Sequence, residues 1–143
     1  MRRKQARRAF TIIEVIVIVV ILGVIAAVVA PRLLGRVGDS KQAVARSNAA
    51  SLFTAMQTYA SDCGMPESGA PISILMERPS NVDEGVWKGP YMNNDNDLRD
   101  PWGNYFVLIV PGNFNVDFDI VSYGKDGQAG GEGENADIVH GKR

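Results

Sequence analysis

The stretch that decides the fold is Ala9-Phe10-Thr11-Ile12-Ile13-Glu14, which opens an apolar run that reaches Ala30 and stops at Pro31. From Ile12 to Ala30 there are 19 residues, all apolar or glycine except Glu14. That length is what a helix needs to cross a hydrocarbon core about 30 Å thick. Five cations, Arg2, Arg3, Lys4, Arg7 and Arg8, crowd the residues before it. Positive charge ahead of a hydrophobic segment holds that end in the cytoplasm, so the rest of the chain is expected outside. Glu14 is the anomaly. A carboxylate just inside lipid is costly and implies a functional site with a partner.

A secretory signal peptide would share the basic start, and Ala27-Val28-Val29-Ala30 has the small residues of a cleavage site. Against it, the apolar run is too long, Glu14 interrupts its beginning, and Pro31 would follow the cut. A plain anchor explains the length and leaves Glu14 unexplained. A carboxylate snorkelling at the interface is the bland account of that residue.

The 143 residues leave room for one small domain beyond this segment. The net charge of -1 conceals an asymmetry: residues 10–143 carry 10 basic against 16 acidic side chains. An acidic distal part argues against nucleic acid, whose phosphates need Lys and Arg clusters. Cys63 is the single cysteine, which excludes an intrachain disulfide and a cysteine-based zinc site. It reads as a half-buried bystander. The single histidine, His140, lies near the end of the chain, where a frayed tail is a poor place for triad chemistry.

Beyond Pro31 the pattern stays helical. Ala45, Ala49, Leu52, Met56 and Tyr59 recur at spacings of three or four, with Val44, Phe53 and Ala60 beside them. Arg36, Ser40, Lys41, Arg46 and Ser47 occupy much of the other face. One helix is therefore expected from Phe10 to about Ser61, stopped by Asp62-Cys63-Gly64 and Pro66, with Gly23 and Pro31 as its weak points and Gly35 and Gly38 loosening it further. Residues 63–99 read as a connecting loop, with a short helical turn at Ile72–Glu77. Asn93–Asp97 lacks the glycine and closing glutamate of an EF-hand and reads as a solvated turn. Asp100–Asn104 is a turn, Tyr105–Val110 and Phe118–Tyr123 form an antiparallel hairpin across Pro111–Asn115, and a third strand is expected near Tyr91. The fold class is α+β, a long helix packed on a small antiparallel sheet. Its expected divisions are a basic leader at 1–9, a membrane half at 10–31 and a distal domain at 32–143. That domain comprises a helix at 32–62, the loop at 63–99, and the hairpin with its C-terminal loop at 100–143.

Arg7-Arg8-Ala9-Phe10-Thr11-Ile12-Ile13-Glu14 resembles the processing motif of type IV pilins and pseudopilins, with Ala9 in place of the usual glycine. The resemblance implies a prepilin peptidase that cuts after Ala9 and leaves Phe10 as an N-methylated first residue. Cleavage creates an α-amine at Phe10, one helical turn from the Glu14 carboxylate, and an unpaired carboxylate in a dry setting attracts such a cation strongly, whether from the same chain or from a neighbour. In the family this glutamate engages the N-terminus of an adjacent subunit, so Phe10 and Glu14 are the expected assembly residues. In related filaments the segment matching Gly23–Pro31 loses helicity on assembly, which would make it a hinge.

Asp100-Pro101-Trp102-Gly103, an aromatic strand, then Asp119-Ile120-Val121-Ser122-Tyr123-Gly124-Lys125-Asp126-Gly127 resembles the major pseudopilin family of type II secretion systems. The glycine-rich segment from Tyr123 to Asp137 has hard oxygen donors and little apolar content, so a bound cation would order it. In the family this loop binds calcium. The resemblance implies ligands from Asp126 and Asp137 and from the Tyr123 carbonyl, with Gln128 and Asn135 added. Ala136 replaces the first of the family's paired aspartates, and Asn135, Glu134 or Glu132 would compensate.

The implied function is a non-enzymatic structural subunit that polymerises into a periplasmic filament driving protein export. Its implied partners are further copies, minor pseudopilins, an inner-membrane assembly platform and the prepilin peptidase, with no nucleic acid. The protein would be single-pass in the inner membrane with its C-terminal domain in the periplasm. The alternative is a type IV or competence-type pilin, which usually carries a disulfide-closed loop that Cys63 alone cannot form. A membrane-anchored hydrolase lacks a nucleophile motif.

Overall fold

The computed structural model describes residues 10–142; residues 1–9 and 143, and the side chains of residues 31–37, lie outside that description. The expected leader and the cleavage position at Ala9 therefore fall outside the described residues. The chain divides into two compact units between Val37 and Gly38.

Helix α1 spans Ile12–Cys63, 52 residues. Thr11 starts it: its hydroxyl oxygen accepts the Glu14 N–H at 3.3 Å, and its carbonyl accepts those of Glu14 and Val15 at 3.1 and 3.3 Å. Gly23 and Pro31 both lie within the helix. The end comes at Cys63, slightly beyond the expected Ser61, where Gly64 takes a φ of 84° and donates to the Ala60 carbonyl at 2.9 Å. A left-handed glycine just past the last turn is a common way to satisfy the final carbonyls.

The predicted stripe is the helix's contribution to the distal core. Ala45, Ala49, Leu52, Met56 and Tyr59 are buried, and all but Ala45 share a core with Phe106, Leu108, Phe118 and Ile120 from the sheet region. Truncating Leu52 in such a core costs about 2–5 kcal/mol. The sheet has three antiparallel strands in chain order: β1 (Val107–Ile109), β2 (Asp119–Ser122) and β3 (Ile138–Val139). Val107 faces Val121, Ile109 faces Asp119, and Ser122 faces Ile138. The long helix over a small antiparallel sheet is the α+β arrangement expected.

Three local expectations change. The third strand is β3, at Ile138–Val139, and Tyr91 lies outside the sheet; Tyr91 and Met92 instead donate their backbone N–H groups to the Leu75 carbonyl at 2.7 and 3.1 Å. The hairpin strands are shorter than predicted. Tyr105 is drawn into a bridge with Arg99, and the second strand ends at Ser122, before Tyr123. The stretch 63–99 is more than a connector. The turn expected at Ile72–Glu77 is present as a 3-10 turn at Ile72–Leu75, and with a second at Asp95–Leu98 it puts Ile72, Ile74, Leu75 and Leu98 into the core. Four-residue turns are too short to show a hydrophobic period.

Cys63 is half-buried, with its sulfur 3.6 Å from the Tyr91 hydroxyl, which donates to Asp62 at 3.1 Å. Burial, above all, raises the Tyr91 hydroxyl to about 12. Nor is the C-terminal segment frayed at His140. Its N–H donates to the Ile120 carbonyl at 3.2 Å, and its ring lies 4.3 Å from that of Phe53.

Candidate functional site

At the start of α1, Phe10 is exposed and Glu14 stands in the first helical turn. The sequence Thr11-Ile12-Ile13-Glu14 is a capping-box pattern, and the Thr11 hydroxyl makes the capping bond. A carboxylate in a first turn also complements the helix dipole. It is the Thr11 hydroxyl and carbonyl, through the Glu14 backbone N–H, that mark where the helix begins. From Ile12 to Ala30 the mean hydropathy is 3.3 and no side chain is buried within the chain. The helix is long and apolar enough to cross a membrane, and an apolar surface of this size is stable only against lipid or other apolar helices.

The two distal motifs are one hydrogen-bonded unit. Asp100 is buried in its turn, and its carboxylate accepts the backbone N–H groups of Trp102 at 3.0 Å and Asn104 at 2.9 Å. Its other oxygen accepts the Ser122 hydroxyl at 2.7 Å. Asn104 donates its side-chain amide to the Gly124 carbonyl at 2.8 Å. The Asp-Pro-Trp-Gly turn therefore holds the exit of β2, where the glycine-rich loop begins.

That loop closes on itself. The Lys125 N–H donates to the Glu134 carbonyl at 2.9 Å, and the Lys125 ammonium meets the Glu134 carboxylate at 3.1 Å. Gly124 has a φ of 65°, and a Cβ there would stand 2.7 Å from the Glu134 carbonyl oxygen, so the closure requires glycine. The Lys125 hydrogen bond, chiefly, holds the Glu134 carboxyl below its ordinary range. Of the residues expected to hold calcium, Tyr123 and Asn135 lie half-buried at the two ends of the loop, while Asp126 and Gln128 are exposed between them. Asp126 accepts the Gln128 N–H at 3.2 Å, and both oxygens of Asp137 accept the Gly130 N–H at 2.9 Å. Among the described residues, no three His, Cys, Asp or Glu side chains converge as a metal cluster. The expected donor set of two carboxylates with carbonyl oxygens does not depend on such a cluster, and its hard oxygens suit calcium.

Across the hairpin, Asp119 organises the loop at Pro111–Asp117. Buried at the end of β1–β2, it accepts N–H groups from Asn113, Phe114 and Asn115 at 2.6 to 2.8 Å, and the Asn115 side-chain amide at 2.8 Å. Burial pushes its carboxyl up, and these donors together outweigh burial and leave it below the ordinary value.

A capped apolar helix continuing into a distal α+β body defines a type IV pilin-like subunit. Residues 4–30 match the prokaryotic N-terminal methylation motif, and residues 32–141 match the family described as type II secretion system (T2SS), protein G. The chain belongs to that family. It is 35% identical over 144 aligned positions to the type II secretion system core protein G of Pseudomonas aeruginosa, covering 96% of each chain. It is 34% identical over 140 positions to the Vibrio cholerae core protein G, covering 96% of this chain and 94% of that one. The crystal structure of the major pseudopilin from the type 2 secretion system of enterohaemorrhagic Escherichia coli shares the fold, with a TM-score of 0.62 at 24% identity over 75% of this chain and 87% of that one. The protein is therefore a type II secretion pseudopilin, a structural subunit, and the type IV or competence-type pilin reading gives way.

Proposed function

We infer that the protein is cut after Ala9 by a prepilin peptidase, methylated at Phe10, and polymerised into a periplasmic filament with minor pseudopilins on an inner-membrane platform. The observation that carries this reading is the Ile12–Ala30 helix half, apolar and unburied, with Glu14 at its start. Lipid covers that surface before assembly, and neighbouring helices cover it afterwards. The Glu14 carboxylate then meets the amine that cleavage exposes on Phe10 of an adjacent subunit, an attraction that grows as water is excluded. The distal domain lies on the periplasmic side.

Glu14→Ala, expressed in place of the natural chain, is expected to reach the membrane and be processed but to lower filament yield and secretion by about tenfold or more, the effect of leaving a charge unpaired. Normal assembly and secretion would refute the role given to Glu14.

Calcium belongs to this reading as the ligand of the Tyr123–Asp137 loop, held by Asp126, Asp137 and the Tyr123 carbonyl, with Gln128 and Asn135 completing the set. When bound, it supplies a fixed positive charge that orders a loop with little apolar packing. The loop's closure between Lys125 and Glu134 and the hard oxygen donors its sequence carries support the assignment. Titration of the full-length protein in detergent with calcium chloride is expected to raise its Tm; no heat and no shift would remove calcium from the account.

A further inference from the structure

The same loop touches α1. Gly38 is buried, and a Cβ there would lie 2.9 Å from Glu134 Cγ and 3.3 Å from its Oε1. One turn on, Gln42 donates its side-chain amide to the Gly133 carbonyl. Lys41, between them, adds its charge to the forces that favour the ionised Glu134. Glu134 is in turn gripped from the loop side by Lys125, through backbone and side chain.

This attachment matters because of what lies around it. Gly38 is the first residue of the distal compact unit, and the first fully buried apolar side chain after it is Ala45. Asp39, Ser40, Ala43 and Val44 are exposed. Across the two turns from Gly38 to Val44 the Gln42–Gly133 hydrogen bond and the approach of Glu134 to Gly38 tie the helix to the loop, and no apolar side chain there is buried. The loop side of the contact, Gly133–Asn135, also buries no residue. A contact made of one amide hydrogen bond and one close side-chain approach lasts only while both of its sides stay ordered.

We propose that the C-terminal loop is a clasp on α1: when residues 123–137 are ordered, Gly133 and Glu134 pin Gly38 and Gln42 to the distal domain, and when the loop loosens those two turns fray. The clasp follows from the contacts alone. Its control by calcium rests on the reading of the loop given above, and makes occupancy of the loop felt in the helix that continues into the apolar segment.

Hydrogen–deuterium exchange on the full-length protein in detergent reads both sides of the clasp, through peptides spanning 38–44 and 123–137, in calcium chloride and in EGTA. Gln42→Ala and Glu134→Ala are each expected to raise exchange across 38–44 about tenfold, the equivalent of one lost hydrogen bond, while residues 49–60 stay unchanged. Gly38→Val, whose side chain displaces Glu134, is expected to do the same; should it fail to fold, the two surface variants decide. Unchanged exchange across 38–44 in those variants overturns the clasp. If calcium protects 123–137 but not 38–44, the clasp is overturned while the calcium reading stands. If calcium protects neither stretch, the calcium reading fails, and the variants alone judge the clasp.

Discussion

Two loops of the distal domain, Pro111–Asp117 and Gly124–Asp137, are both irregular and polar, yet they are ordered by opposite means. The first is built around a buried anion. The Asp119 carboxylate collects four N–H donors and sits 1% exposed, so the loop closes on a charge supplied by its own chain. The second is held at its base by the exposed Lys125–Glu134 pair and the Asp137–Gly130 bond, with both partners in reach of water. A buried carboxylate with several donors is worth far more than an exposed pair, because leaving its donors unmet costs their full desolvation. The first loop is self-sufficient. The second rests on solvated contacts.

The sharpest way to break this contrast is Asp119→Ala, which orphans four donors at once. It should cost about 3 kcal/mol, lowering Tm by roughly 12 to 24 °C for a domain of this size; a much smaller loss in thermal unfolding would mean that water replaces the carboxylate. Acid should attack the same point. Because the Asp119 carboxyl lies below its unfolded value, its stabilisation is present above the unfolded value and is lost as pH falls through the folded one. Unfolding followed from neutral pH down to the acid range should show that loss in the natural protein and not in Asp119→Asn.

Asp137→Ala should be milder, about 1 kcal/mol in EGTA for its bond to Gly130, and should in addition abolish any gain in Tm from calcium. Equal Tm gains with and without Asp137 would remove it from the ligand set. Lys125→Met should be the smallest effect, between zero and about 1 kcal/mol, since the pair it removes is solvated. A larger loss would show that Lys125 organises the loop beyond its ion pair.

The two loops also differ in how far the sequence exposes them. Asp126 and Asp137 are expected ligands because they match the family's pattern in a stretch crowded with glycine and acid, although which oxygens converge is not written there. Asp119 shows no such signal. It sits in an apolar strand, and only folding brings its donors around it. Asp100 is intermediate: the turn it starts is readable from Pro101 and Gly103, whereas its bond to Ser122, 22 residues away, is not.

What the sequence by itself determined is the long helix, its change from an apolar to an amphipathic face, the processing motif and the family. These are local patterns, set by a 3.6-residue period and by fixed spacings around Phe10 and Glu14. Tertiary structure alone decided the identity of the third strand, the core role of Ile72–Leu75 and Leu98, the joining of the Asp100 turn to the Ser122 strand, and the contact of Gln42 with Gly133, 91 residues apart. The two-residue strand and the Asp95–Leu98 turn carry too little period to announce themselves, and the turn expected at Ile72 gave no sign of its burial. Their places are set by which buried donor, acceptor or apolar surface the rest of the fold leaves to be met.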